Sequence, residues 1–218
     1  MATIADNLQA VRARAGRAPG VTLLAVSKGQ GLDRIRQAAA AGQKAFGENY
    51  VQEALEKMQV LPGMEWHLVG PLQSNKTRAA AEHFAWVQTI ASEKIARRLS
   101  EQRPAALGPL NVLIQVNVSG EASKSGIAPR DVPALAEALG RMPRLKLRGL
   151  MAIPEPGAPR ERYTEVKSLF DSLREEFALD TLSMGMSDDM ELAIAEGATM
   201  VRVGTAIFGQ RQKQRSVA

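Results

Sequence analysis

Short apolar runs alternate along the chain with segments whose apolar residues recur every three or four positions. Residues 2–16 place Ile4, Leu8, Val11 and Ala15 at helical spacing and predict an amphipathic helix. Residues 21–28 then form a nearly unbroken apolar and β-branched run, the pattern of a strand buried on both faces in a parallel sheet. Leu32, Ile35 and Ala39 mark a helix that Gly42 ends. The same alternation continues, with strands predicted at 44–47, 66–70, 84–90, 111–117, 145–151, 181–184 and 200–203. The intervening helices are expected at 49–58, 75–83, 93–102, 129–142, 160–177 and 188–197.

Eight strand–helix units without a linker or a shift of composition predict one (β/α)8 TIM barrel over residues 1–218, preceded by an extra N-terminal helix. A doubly wound sheet is the structural alternative. The proline-rich loop 152–159, with Pro154, Pro156 and Pro159, reads as a stiff barrel loop and not a domain boundary.

Composition narrows the chemistry. The 218 residues contain no cysteine, which excludes disulfides and thiolate chemistry, and only His67 and His83, so no metal site is expected. The net charge of +5 raises a nucleic-acid partner, but the basic residues are scattered over helical segments. Only Arg211, Lys213 and Arg215 cluster, so a solvated surface is the reading taken and no nucleic acid is expected. Residues 1–17 lack the apolar core of a signal peptide, and no run reaches membrane-spanning length. A cytoplasmic protein without a membrane partner is expected.

In a barrel the C-terminal ends of the strands meet at one rim, where active sites are built. The residues falling there are Lys28, Asn49, His67, Asn117, Met151, Ser187 and the stretch from Arg202 to Thr205. A lysine closing a buried strand is a candidate nucleophile toward carbonyls, although it equally fits a side chain that has reached solvent. Residues 183–189 run from a strand through a small-residue loop toward a helix that Ser187 can cap. Fifteen residues after Ser187, Arg202 begins a second such turn, with Gly204 and Thr205 opening a short last helix. Loops after strands seven and eight form the recurring phosphate pocket of this fold. Ordinary glycine turns and a serine cap would look the same. Together the lysine and the anion site suggest an aldehyde bearing a phosphate, held as a Schiff base.

Seven segments carry a resemblance. They are LAVSK at 24–28, FGENYVQ at 46–52, WHLVGPLQSNK at 66–76, SKSGI at 123–127, RGLMAIP at 148–154, LSMGMSDDM at 182–190 and VRVGTAIFG at 201–209. In this order and register the chain resembles the pyridoxal phosphate homeostasis protein family. That resemblance implies a barrel of the alanine-racemase type (fold type III), binding pyridoxal 5′-phosphate as a Schiff base on Lys28. It implies that Ser187 and the backbone of Gly204 and Thr205 hold the phosphate, and that Arg202 faces the pyridine nitrogen. It also implies that Asn49 lies near the ring substituents and Met151 lines the pocket. The roles of His67, Asn117 and Lys124 stay open, a satisfied structural histidine being the plainer account of His67. Many relatives in this family follow the lysine with a Thr and have a Pro nearby, whereas this chain reads Lys28-Gly29-Gln30-Gly31, which predicts a looser loop.

An arginine beside the ring nitrogen disfavours its protonation and weakens the ring as an electron sink. Alanine racemase adds a catalytic tyrosine from a second domain. Here the chain ends nine residues after Gly209, and neither Tyr50, in the Asn49 helix, nor Tyr163, in a surface helix, looks placed as that base. A monomeric carrier that buffers the cofactor, serves apo-enzymes and influences amino-acid and keto-acid balance is therefore the function expected. The alternatives are a racemase-like enzyme using Lys28 as base, and a binding module that uses the basic surface.

Overall fold

The computed structural model describes residues 2–16, 20–120 and 125–210. The basic tail and the motif residues Ser123 and Lys124 lie outside the described residues. The first helix, α1 (Ile4–Ala15), begins at a capping box in which Thr3 and Asp6 satisfy each other's backbone N–H groups. Its buried face is the predicted one, Ile4, Leu8, Val11 and Ala15.

Strand and helix then alternate through β1 (Thr22–Val26), α2 (Leu32–Ala40), β2 (Ala45–Glu48), α3 (Val51–Val60), β3 (Glu65–Leu68) and α4 (Thr77–His83). They continue through β4 (Trp86–Ile90), α5 (Glu93–Gln102), β5 (Leu110–Val116), α6 (Val132–Gly140), β6 (Leu145–Ala152) and α7 (Arg160–Arg174). The last elements are β7 (Thr181–Ser183), α8 (Met190–Ala195), β8 (Met200–Val203) and the single-turn α9 (Thr205–Phe208).

All neighbouring strands pair in parallel, and β1 pairs with β8 from Thr22↔Met200 to Ala25↔Val203. The sheet is a closed barrel in sequential order, which removes the doubly wound alternative. Of the boundaries that shift, two bear on the site. The first strand stops at Val26, so Ser27 and Lys28 belong to the following turn. The eighth helix starts at Met190, because residues 187–189 form a turn.

The two-residue period of each strand divides the core. Ala25, Phe46, Leu68, Val87, Ile114, Leu150, Leu182 and Val201 point outward and pack with the helices in one large cluster. The alternate positions point into the barrel, where Leu24 and Met200 form one small cluster and Trp86, Leu113 and Met151 another. Barrel interiors are ordinarily filled by branched apolar residues. Here the inward set also includes buried His67, Gln88, Gln115, Ser183 and Arg202. Polar groups at that depth require partners.

Candidate functional site

The C-terminal rim encloses a cavity of about 470 Å³ lined by Lys28, Asn49, Ser187, Arg202, Gly204 and Thr205. These residues come from the ends of β1, β2, β7 and β8, and six of the seven sequence-derived candidates thus meet in one place. The seventh, Met151, is fully buried with Trp86 and Leu113, and Ile153, two positions on, reaches the cavity instead. The expectation that Met151 lines the pocket is corrected in that sense, since its strand leaves the barrel only after Ala152.

Lys28 is carried by a pinned turn. The carbonyl of Ser27 accepts from Lys57 Nζ at 2.8 Å and from the Gln30 N–H at 3.0 Å. On the other side, the Gly29 N–H donates to Glu53 Oε1 at 2.6 Å. Gly29 has φ +69°, a left-handed conformation that explains a glycine here. The looseness expected of this glycine is not what the contacts display, because the residue serves a turn held from both ends.

The clamp rests on buried charge. Lys57 Nζ lies 2.7 Å from both Glu48 Oε1 and Glu53 Oε1, and Ser27 Oγ donates to Glu48 Oε1 at 2.5 Å. Burial pushes the Glu48 carboxyl above its ordinary pKa, opposed by Lys57 and Ser27. Nothing in the sequence pattern singled out Lys57. Its only signal was a lysine on the apolar face of α3 with Val51 and Ala54.

Ser187 departs from its expected role as cap of the following helix. Its Oγ instead accepts from the Ala206 N–H at 3.3 Å, joining the loop after β7 to the turn of α9. Asp189 occupies the N-cap position of α8 and accepts from the Met186 N–H through Oδ1 at 2.5 Å. Arg14 braces the same loop from α1, donating to the Ser187 carbonyl at 3.2 Å and pairing with Glu191. Beside it, a Cβ on Gly204 would lie 3.1 Å from the Val26 carbonyl oxygen, so glycine lets the two strand ends close on each other.

Arg202 forms part of the cavity floor and is only 5% exposed. Its Nη1 donates to Ser183 Oγ at 2.7 Å and its Nη2 to the Ala152 carbonyl at 2.8 Å. Burial lowers the guanidinium to about 10, against the opposing pull of Asp189, and it remains a cation at neutral pH.

Tyr163 is not on a surface. It belongs to the buried face of α7, 1% exposed, and donates to Asp189 Oδ2 at 2.6 Å. Burial and Asp189 push its pKa well up, so it stays protonated at neutral pH, and it does not line the cavity. Tyr50 sits at the N-cap position of α3 and is 67% exposed. His67 is enclosed within the barrel, 2.8 Å from Glu65, 2.9 Å from Gln88 and stacked on Trp86. It is a satisfied structural histidine away from the cavity surface. Asn117 does line the cavity, together with Gln30 and Gln115, which the sequence reading had passed over. Their signal was inward parity, two and four residues beyond Leu113 on β5 for Gln115 and Asn117.

Among the described residues no cluster of His, Asp and Glu is placed to hold a metal ion, and no helix is long and apolar enough to cross a membrane.

The family model described as alanine racemase, N-terminal domain, matches residues 1–212. The chain is 58% identical to the pyridoxal phosphate homeostasis protein of Pseudomonas aeruginosa, over 97% of each chain. It is similar to the structure of PipY from Synechococcus elongatus with pyridoxal phosphate bound, at a TM-score of 0.85 and 38% identity, covering 95% of this chain and all of that one. Alanine racemase from Corynebacterium glutamicum shares the fold, with a TM-score of 0.76 at 19% identity, covering 97% of this chain and 61% of the racemase.

Proposed function

The chain belongs to the pyridoxal phosphate homeostasis protein family, and from that membership we propose that it binds pyridoxal 5′-phosphate reversibly as a cofactor carrier. The observation that supports this most is the meeting of Lys28, Ser187, Arg202 and Gly204 around one cavity. The donor set fits the cofactor. Lys28 brings an amine to the cavity for an aldehyde, and the small Gly204 leaves room for a phosphate beside the Ser187 hydroxyl. That hydroxyl accepts from Ala206 and so keeps its own proton for a bound oxygen. When bound, the cofactor supplies an electrophilic aldehyde conjugated to a ring.

In this reading Lys28 is the covalent anchor, and Ser187 with the backbone of Gly204 and Thr205 holds the phosphate. Arg202 meets the ring nitrogen and Asn49 the ring substituents, while Met151 contributes by packing one layer below. The Lys57 clamp fixes the backbone on both sides of Lys28 and so sets where its amine can reach.

Carriage is favoured over catalysis by the proton inventory. Arg202, a cation at neutral pH, disfavours a proton on the ring nitrogen. Tyr163 is committed to Asp189, and Tyr50 points to solvent. The protein is read as a cytoplasmic monomer, one cofactor-binding barrel, that hands the cofactor to apo-enzymes.

The test is the near-ultraviolet and visible spectrum of the protein with pyridoxal phosphate, before and after borohydride, with peptide mapping of the reduced adduct. A reducible band with the label on Lys28 and transfer to an apo-enzyme are expected. Absence of any band would overturn the cofactor reading. Steady exchange of an amino acid's α-proton with solvent, lost in Lys28→Ala, would replace the carrier by an enzyme.

A further inference from the structure

Arg202 is the first member of a continuous hydrogen-bonded chain that crosses the barrel interior. Its Nη1 meets Ser183 Oγ at 2.7 Å, and Ser183 Oγ meets Gln88 Oε1 at 2.8 Å. Gln88 Nε2 meets His67 Nδ1 at 2.9 Å, and His67 Nε2 meets Glu65 Oε1 at 2.8 Å. Glu65 is the first residue of β3, half-exposed at the end of the barrel opposite the cavity. The four members above it are all less than 9% exposed.

The direction of every proton in this chain follows from its Glu65 end. Glu65 holds its carboxyl below the ordinary value through His67, so it is an acceptor only. Burial keeps His67 neutral, so its one proton is on Nε2, donated to Glu65. Nδ1 must then accept, and the Gln88 amide must present its NH₂ to it. The second proton of that NH₂ points to Met200 Sδ at 3.1 Å. The Gln88 carbonyl oxygen is thereby turned toward Ser183, whose single hydroxyl proton it takes. Ser183 has only lone pairs left for Arg202.

We infer that Gln88 and His67 are positioning residues for Arg202, fixing Ser183 as an acceptor so that the guanidinium is held in one orientation under the cavity. Neither residue touches the cavity surface. Both act through Ser183. In the reverse polarity Gln88 would donate to Ser183, whose hydroxyl proton would lose its acceptor and compete with the guanidinium for the same side of Oγ, weakening one of the two anchors of Arg202. The consequence for a bound cofactor rests on the reading that Arg202 meets the ring nitrogen. The polarity itself does not.

Two measurements separate these. Nitrogen-15 NMR of the cofactor-free full chain reports the tautomer of His67, and a protonated Nε2 with a bare Nδ1 is expected. The opposite tautomer overturns the inference whether or not a cofactor binds. The second measurement compares Gln88→Met and Gln88→Glu with the unmodified chain, each loaded with pyridoxal phosphate. Gln88→Met keeps the volume but removes the acceptor, and is expected to shift the absorption band and speed release on the order of tenfold. Gln88→Glu keeps an acceptor for Ser183 but removes the donor to His67 Nδ1, so it is expected to move the His67 nitrogen-15 signals while shifting the band less than Gln88→Met does. An unshifted band and unchanged release in Gln88→Met overturn the inference. Failure of the unmodified chain to bind the cofactor overturns the cofactor reading instead, leaving the tautomer to decide the polarity. If Gln88→Met does not fold, the tautomer likewise decides.

Discussion

Lys57 Nζ lies 2.8 Å from the carbonyl oxygen of Ser27, the residue immediately before Lys28. An ammonium buried to 4% exposure is thus used as a backbone clamp, with Glu48 and Glu53 as its counter-charges. Removing one partner of a buried ion pair strands the other, at a cost of about 3–5 kcal/mol.

Lys57→Met is therefore expected to destabilise the barrel by ~3 kcal/mol at neutral pH and to loosen the turn that carries Lys28. The loss is pH-dependent through Glu48. Burial already raises its folded pKa, so its contribution to stability is complete below the ordinary carboxylate value and is lost as pH rises through the folded one. Without Lys57 that pKa climbs further. The gap in melting temperature between variant and parent should widen from acidic to neutral pH. An equal gap at both would show that Glu48 does not feel Lys57.

His67 gives a second pH signature. Its folded pKa is lowered by burial, opposed by Glu65, whose own surroundings include Arg148 and Trp86. Below the ordinary histidine value of about 6.5 the unfolded chain takes up a proton that the native state refuses. Stability is then expected to fall as pH drops below about 7, with a slope approaching ~1.4 kcal/mol per unit from this residue alone. Denaturant titrations of the parent and His67→Gln should differ by that slope. Parallel pH profiles would mean that His67 takes its proton within the native barrel.

Gly70 packs against the other wall of the cavity. A Cβ there would fall 2.2 Å from the Asn49 carbonyl oxygen and 2.6 Å from its Cα, so the backbone of Asn49 would have to move. Gly70→Ala is expected to cost about 1–3 kcal/mol of stability and to weaken pyridoxal phosphate binding on the order of tenfold. Thermal melts and equilibrium dialysis read the two effects separately. Unaltered binding with the expected loss of stability would remove Asn49 from the site.

The barrel was legible in the sequence because continuous apolar runs, each followed by a helical repeat, leave few architectures that bury both faces of eight strands. Lys28, Ser187, Arg202 and Gly204 were legible because strand ends and glycine turns mark the rim. The cap assigned to Ser187 fails because the N–H it serves, that of Ala206, lies nineteen residues away and reaches it only once β7 and β8 pair. Tyr163 shares the helical period of Val166, Phe170 and Leu173, and its burial could have been read from that face. The interior chain was not readable at all. Ser183 and Gln88 are 95 positions apart, and only closure of the barrel turns two polar strand residues toward each other.

Lys28 differs from these supporting residues in where it stands. It follows the end of β1, in a turn, with part of its side chain exposed and no role in the interior clusters. The turn itself is held by backbone contacts from Lys57 and Glu53 to Ser27 and Gly29, which do not need the Lys28 side chain. Lys28→Ala is accordingly expected to change stability by no more than ~0.5 kcal/mol, the range of substitutions outside a packed core. It should abolish the borohydride-fixed adduct while leaving a weaker, dialysable binding of pyridoxal phosphate through Ser187 and Arg202. Circular dichroism melts and mass spectrometry after reduction measure the two parts. A folded variant that still acquires the covalent label would move the anchor to another amine. A variant that melts several kcal/mol early would make Lys28 part of the turn's architecture.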